Sequence, residues 1–475
     1  MVHISVRSLR VCGLLYLLVP VLIFVVGWSR GYVAVPLSLL MLYASGKAIS
    51  SRSGDEGATI SVPARQLALI LGVLSLWVVL SGIGRYVWQN DDHYWRNAVF
   101  NDLILRDWPV SDGTHTLCYY FGFWLPAALV GKLFGSVAAA NFALLVWSVL
   151  GMSLFYFLIC AWLRSVKTGI LLLLIFFSGI DLFGYLDFYL ARHRVAELWP
   201  HLLTFPHIEW STIPFQASSV TTLLFWVFNQ SIPFFIGMML LLPRGGWRYK
   251  PFVYSLLLLF SPFPFVGFAP AMLCQAIREA RGEGLPAFIR QSLTVENLAA
   301  IGVVSLVGLF YLSNIAAGES GFRPPRAAYL FYLLTQYVVF FPFVLKDNYK
   351  DPLLWTLFAT CLVFSLVNLG ESTDFCMRTN IPFTLYLMLL VMKRLYVSGI
   401  GRRMKRLLVV VLVLGAVTPF FEIARTVRQT CHCVREREVC ERRLTDRDSI
   451  FDEKLTGPNF LGRDDSLFNQ YLLRR

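Results

Sequence analysis

The chain has 475 residues, 57% of them hydrophobic and 15% charged, with a mean hydropathy of +0.62. Soluble domains carry roughly 25% charged residues, so this composition excludes a soluble globular protein and indicates a polytopic membrane protein. The formal net charge of +13 comes from short basic clusters between apolar segments, a pattern that fits cytoplasmic loops and argues against a nucleic-acid surface.

Arg7 and Arg10 precede the apolar stretch from Val11 to Trp28, a beginning that resembles a signal peptide. No small-residue cleavage site follows and Tyr32 to Ala48 is apolar again, so an uncleaved helix pair is expected. Further on, apolar runs near 66–84, 136–162, 168–186, 219–242, 297–314, 327–345, 352–369, 379–396 and 406–424 bring the number of expected spans to eleven. A membrane core about 30 Å thick sets that length requirement. Two more apolar stretches, 119–134 and 252–277, carry breaks at Pro126 and Gly131 and at Ser261-Pro262-Phe263-Pro264.

Loops with Lys47 and Arg65, Arg164 and Lys167, Arg248 and Lys250, Arg278 and Arg290, Lys346 and Lys350, and Lys393 to Arg406 belong inside by the positive-inside rule. Parity then requires that 119–134 does not cross and that 252–277 enters and returns on one side. The outer segments become 85–118, 187–218, 315–326, 370–378 and the tail from 425. An all-α membrane bundle of about 11–13 transmembrane helices follows, with outer loops and re-entrant or interfacial helices. Its parts are an N-terminal hairpin and inner loop (1–65), a main domain (66–424) and a short outer tail (425–475).

The outer loops hold the chemistry-bearing residues. Asn90-Asp91-Asp92-His93-Tyr94-Trp95-Arg96 follows an apolar segment directly, and ionisable groups so placed mark functional sites in membrane proteins. Asp91 and Asp92 diverge by about 100 degrees on a helix, so one of the two points into a site. Asp92 and Arg96 share a helical face. Asn90 or Asp91 as a helix cap is the competing structural role. Arg192, His193 and Arg194, and secondly Arg378, have the side chains suited to a phosphate group. His207 and Glu209 share one side of an extended segment and form a candidate substrate contact. Asn229-Gln230 interrupts an apolar run, where it satisfies a neighbouring helix or lines a cavity.

Of nine cysteines, Cys12, Cys160, Cys274 and Cys361 fall in apolar segments, while Cys118, Cys376, Cys431, Cys433 and Cys440 fall outside. The Cys431-His432-Cys433 spacing departs from common zinc patterns and favours a disulfide or free thiols. No Walker-type loop and no dinucleotide-binding glycine motif is present, so a soluble nucleotide donor is not expected.

The order Asp91-Asp92-His93-Tyr94, Arg106-Asp107-Trp108-Pro109, Tyr120-Phe121-Gly122-Phe123-Trp124-Leu125-Pro126-Ala127 and Lys132-Leu133-Phe134-Gly135 resembles bacterial GT-C superfamily glycosyltransferases, including the protein-mannosyltransferase-like branch. The motif occupies roughly residues 90–135. The chain departs from the branch in having Asp-Asp where Asp-Glu is frequent, an added N-terminal hairpin and a short tail. The resemblance implies a polyprenyl-phosphate-linked sugar donor, Asp91 or Asp92 as general base, and a glycan, lipid or protein acceptor. It places the activity on the outer face of a bacterial cytoplasmic membrane. His93, Arg96, Arg192, Arg194, His207, Glu209 and Arg378 are the expected substrate-binding residues. A divalent metal, Mg or Mn, is compatible with this chemistry and not required by it. An outer-face glycan polymerase or ligase, and a lipid or solute transporter or flippase, are the alternatives.

Overall fold

The computed structural model describes residues 1–51, 57–192, 194–209, 213–243, 245–316, 320–369, 373–436, 449–452 and 457–474. The architecture is a helical bundle with three small two-stranded sheets. Among the described residues eight helical segments are long and apolar enough to cross a membrane: Val6–Trp28, Gly31–Ser50, Val137–Leu163, Thr168–Ala191, Val220–Leu241, Val295–Leu312, Ala327–Asn348 and Arg402–Arg435. Leu39, Ile301 and Val413 turn outward on such helices, as contact with lipid requires.

Local sequence sets the helix starts. Ser5, Ser136 and Ser219 cap theirs by accepting from the backbone N–H three residues on, and Asp351 does so from Leu353. Three of the eleven expected spans form helices shorter than any of these eight. Ala64–Leu80, Pro352–Phe364 and Ile381–Tyr396 have 17, 13 and 16 residues. The first stops where Gly82 and Gly84 adopt positive φ, and the second where Val367–Leu369 becomes a strand.

Loops sort onto two faces. On one, Val2–Ser5 pairs antiparallel with Thr59–Val62, and the Arg7 guanidinium reaches the Ile49 carbonyl. On the other, Arg30 Nε donates to Leu473 O at 3.1 Å, and Asn314 Nδ2 donates to Cys118 O and Asn459 O, both at 2.9 Å. The 23-residue helix Val6–Trp28 joins the faces over about 35 Å. This grouping matches the alternation expected from loop charge.

Both ambiguous stretches turn back. At the end of the first helix, Trp28 packs on Phe121 and on Trp108, with ring centroids 4.8 and 5.2 Å apart. Lys132 sits over that same Trp108 and donates to the Arg106 carbonyl, so Gly122–Phe134 begins and ends at one level without crossing. The second stretch folds into Lys250–Leu256 and Pro262–Glu283, where Lys250 Nζ donates to Gln275 Oε1 at 2.6 Å. Serine and prolines at 261, 262 and 264 make that bend.

The spans Thr168–Ala191 and Ala327–Asn348 are internally broken at 177–180 and 337–340, and the breaks touch. Ile180 N donates to Thr335 O at 3.0 Å, and Gln336 Nε2 to the buried Asp181 at 2.6 Å. Thr418, from the Arg402–Arg435 span, donates to the same carboxylate at 2.7 Å. The tail straps the second face: Leu461–Gly462 pairs with Thr116–Leu117, and Ile450 N donates to Asp102. Cys118 and Cys376 are buried free thiols, Cys431 is a free thiol, and Cys433 is in a disulfide; Cys440 lies outside the described residues.

Candidate functional site

Charge at the head of Asp92–Leu105 is sorted by the helix itself. Asp91 holds the cap position without a side-chain cap bond and is exposed, whereas Asp92, in the first turn, lines a cleft of about 360 Å³. One turn later Arg96 Nη2 donates to Asp92 Oδ2 at 2.6 Å. Arg96 is only 5% exposed, lies over the Phe228 ring, and keeps its Nε and Nη1 hydrogens without a partner. A buried donor without an acceptor is costly, and a buried guanidinium more so.

Arg378 repeats the arrangement from the far side of the sequence. The short helix Asp374–Thr379 places it in the cleft, 5% exposed, with Asp374 at 2.8 Å, Tyr120 Oη at 2.8 Å, and Nε without a partner. Burial weighs against its charge, and Asp374 and Tyr120 more than offset that, so its pKa is raised and the group stays cationic. Asn229 Nδ2 donates to the Tyr120 carbonyl at 3.3 Å, which accounts for one of the amides interrupting its apolar run. That run breaks at Val227, whose φ of −140° and ψ of 36° are not helical, and Trp226 and Val227 line the cleft there.

A third group of charges supports the wall. His207 lines the cleft and its Nδ1 lies 2.7 Å from Glu422 Oε1. Glu422, 1% exposed, also accepts from Trp226 Nε1 at 2.7 Å and from Arg425. Burial disfavours the charged ring of His207, but the charge and hydrogen bond of Glu422 outweigh it, so the His207 pKa is raised. Glu209 is fully buried behind the cleft, where Gln216 Nε2 at 3.0 Å, Ser218 Oγ at 2.6 Å and Ser219 N at 3.1 Å hold it. Burial raises its pKa. Thr373 completes the line by donating to Gln216 Oε1 at 2.6 Å.

The structure therefore brings Asp92, Arg96, His207, Glu209 and Arg378 together around one cleft. It does not bring Arg192, Arg194 or His93 there. Arg192 is exposed with its guanidinium 3.8 Å from the Phe188 ring centroid, and Arg194 is exposed and paired with Glu197. Both extend from the end of the Thr168–Ala191 span, and His193 lies outside the described residues. His93 is buried beneath the cleft between Gln89 and the Ser81 carbonyl, and burial draws its pKa down to about 3, which keeps the ring neutral. Among the described residues no group of three or more His, Cys, Asp or Glu is arranged to hold a metal ion.

Glu422, Arg425 and Gln216 are site residues that the sequence reading passed over. A carboxylate inside the last apolar run was the available signal, since ionisable groups there need a specific partner. Two larger cavities, about 610 and 710 Å³, open on the opposite face and share no lining residue with the cleft. Comparison of the chain with protein-family models, with curated proteins and with solved structures finds no match.

Proposed function

We propose that the cleft transfers a sugar from a polyprenyl-phosphate-linked donor to a hydroxyl of a cell-envelope glycan, lipid or protein, on the outer face of a bacterial cytoplasmic membrane. The observation that carries this reading is the pair of buried arginines, Arg96 and Arg378, each with unpaired N–H groups, beside a partly exposed Asp92. Orphan guanidinium donors next to a solvent-accessible carboxylate suit a phosphate leaving group beside a general base.

In the proposed reaction Asp92 takes the acceptor hydroxyl proton as that oxygen bonds to the anomeric carbon. The bond from this carbon to the donor phosphate breaks with inversion, and its electron pair leaves on the phosphate oxygen, held by Arg378 and Arg96. The arginines supply positive charge where negative charge develops. His207, kept near Glu422, adds a third donor at the wall, and the Trp226 ring offers an apolar face for a sugar. Arg192 and Arg194 take the role of headgroup contacts at the membrane surface.

The test is release of polyprenyl phosphate by the purified chain from a panel of polyprenyl-phosphate sugars. Asp92→Asn is expected to lower release by about 10²- to 10⁴-fold. Transfer at the unaltered rate in that variant overturns the assignment.

A second reading, a lipid or solute transporter, draws on one specific observation. Two interrupted spans meet at the buried Asp181, to which Thr418 of a third span also donates, and discontinuous helices around a buried carboxylate characterise transporter sites. Loss of substrate movement in Asp181→Asn, with no sugar transfer by the unaltered chain, favours that reading.

A further inference from the structure

The cavity of about 710 Å³ on the opposite face lies where four helix ends meet. Lys250 opens Lys250–Leu256, Arg278 lies in the last turns of Pro262–Glu283, Lys350 follows Phe341–Asn348, and Lys393 lies in the last turn of Ile381–Tyr396. All four line the cavity. Two of the acids there are already engaged. Asp347 pairs with Arg394 at 2.6 Å, and Asp351 caps the helix Pro352–Phe364 while accepting from the Tyr386 hydroxyl. Glu279 is left facing four cations.

Lys250 shows that this is more than a basic rim. Its residue is 8% exposed, yet its ammonium meets only neutral acceptors, Pro243 O at 2.7 Å and Gln275 Oε1 at 2.6 Å. Beside it, Gln275 Nε2 is buried without an acceptor. Burial draws the Lys250 pKa down to about 8, with Glu279 too weak to restore it. A nearly buried ammonium, an orphan amide N–H and three further cations around one space are complementary to an anion with several oxygen acceptors.

We propose that this cavity is a phosphate-binding site on the face opposite the cleft, built by Lys250, Arg278, Lys350 and Lys393. Its ligand is a phosphate group, carried either by a lipid headgroup or by a soluble compound. Basic pockets between membrane helices on the side where basic loops gather are suited to such headgroups. No residue of the cleft lines this cavity, and the site stands apart from the transfer reaction.

The experiment uses the full chain in neutral detergent, with phosphatidylglycerol and inorganic phosphate as separate probes. Bound lipid is counted by native mass spectrometry, and phosphate is read as a shift in melting temperature. Lys350→Gln with Lys393→Gln, both at the cavity wall, is expected to weaken whichever probe binds by about tenfold. Arg402→Gln with Arg403→Gln, exposed residues outside the cavity lining, is the control and is expected to stay near the unaltered chain. Lipid binding that depends on the lysines identifies a headgroup site, and phosphate binding that depends on them identifies a soluble ligand. Binding of neither probe, or equal loss in both double variants, overturns the proposal. Lys250→Gln is a further variant, but its burial makes misfolding a separate outcome, so the wall lysines carry the test.

Discussion

Asp92 and Arg378 line the same cleft, although one opens the helix after the third apolar segment and the other belongs to a short helix near the end of the bundle. Each is ion-paired one helical turn away, Asp92 with Arg96 and Arg378 with Asp374, so each arginine arrives oriented by a carboxylate. The adjacent carboxylates 91 and 92 are then separable. Asp91→Asn is expected to leave sugar transfer within about twofold, and Asp92→Asn to lower it by at least about a hundredfold. Equal loss in both would remove the distinction between them.

Arg378→Lys keeps the charge but gives up the planar fork that reaches both Asp374 and Tyr120. The KM for the lipid-linked donor should rise by about tenfold or more, with a smaller change in Arg192→Gln and Arg194→Gln. Donor titrations on the three variants check this. A larger effect at Arg192 or Arg194 would return the phosphate to the exposed loop.

The all-α, membrane-spanning character of the fold was legible in the sequence, because long apolar runs report directly on lipid. Helix ends were less so: the run at 352–369 carries no charged residue, but the helix stops at Phe364 and Val367–Leu369 forms a strand. For the site, the pair Asp91 and Asp92 stood out because charge beside apolar sequence is rare, and Arg378 stood second to Arg192, His193 and Arg194. Glu422 did not, since it lies in a run otherwise read as an ordinary span, and its partner His207 is distant in sequence. Arg192 and Arg194 have side chains suited to a phosphate but lie outside the cleft. Nothing in their local sequence distinguishes a side chain lying on Phe188 or Glu197 from one aimed into a cleft.

Stability should carry a pH signature from His207. Its ordinary pKa near 6.5 is raised in the fold: burial opposes the charge, and Glu422 outweighs burial. A raised value stabilises the fold fully below 6.5, and that contribution is lost as pH rises through the folded value. Glu209 and Arg425 face the same ring and are held constant by comparing melting temperatures of the unaltered chain and His207→Gln. The unaltered chain should lose more stability between about pH 6 and pH 9. Parallel profiles would show that His207 is not the group responsible.

Gly267 lies against the backbone of Thr379, at the end of the helix that carries Arg378, and a Cβ there would collide with the Thr379 carbonyl. Gly267→Ala should therefore displace Arg378. Transfer is expected to fall by about tenfold or more and the melting temperature to fall with it, because a backbone carbonyl cannot swing aside from an added methyl as a flexible side chain can. Full activity in the variant would mean that this contact does not position the arginine.

Phe460 in the tail stacks on Trp95 at 5.8 Å and packs on Tyr119 at 4.6 Å between centroids, next to the wall that holds Asp92 and Arg96. Phe460→Ala should destabilise the protein by about 1–3 kcal/mol, read as an earlier unfolding transition in detergent. An unchanged transition would mean that the strap packs without holding.

The strap also sets an order of events during synthesis. Arg30 closes the first hairpin against Leu473, a residue made 443 positions later, and Arg474 N reaches back to the Trp28 carbonyl. The earliest turn to be inserted thus stays open to water until nearly the whole bundle has been threaded into the membrane.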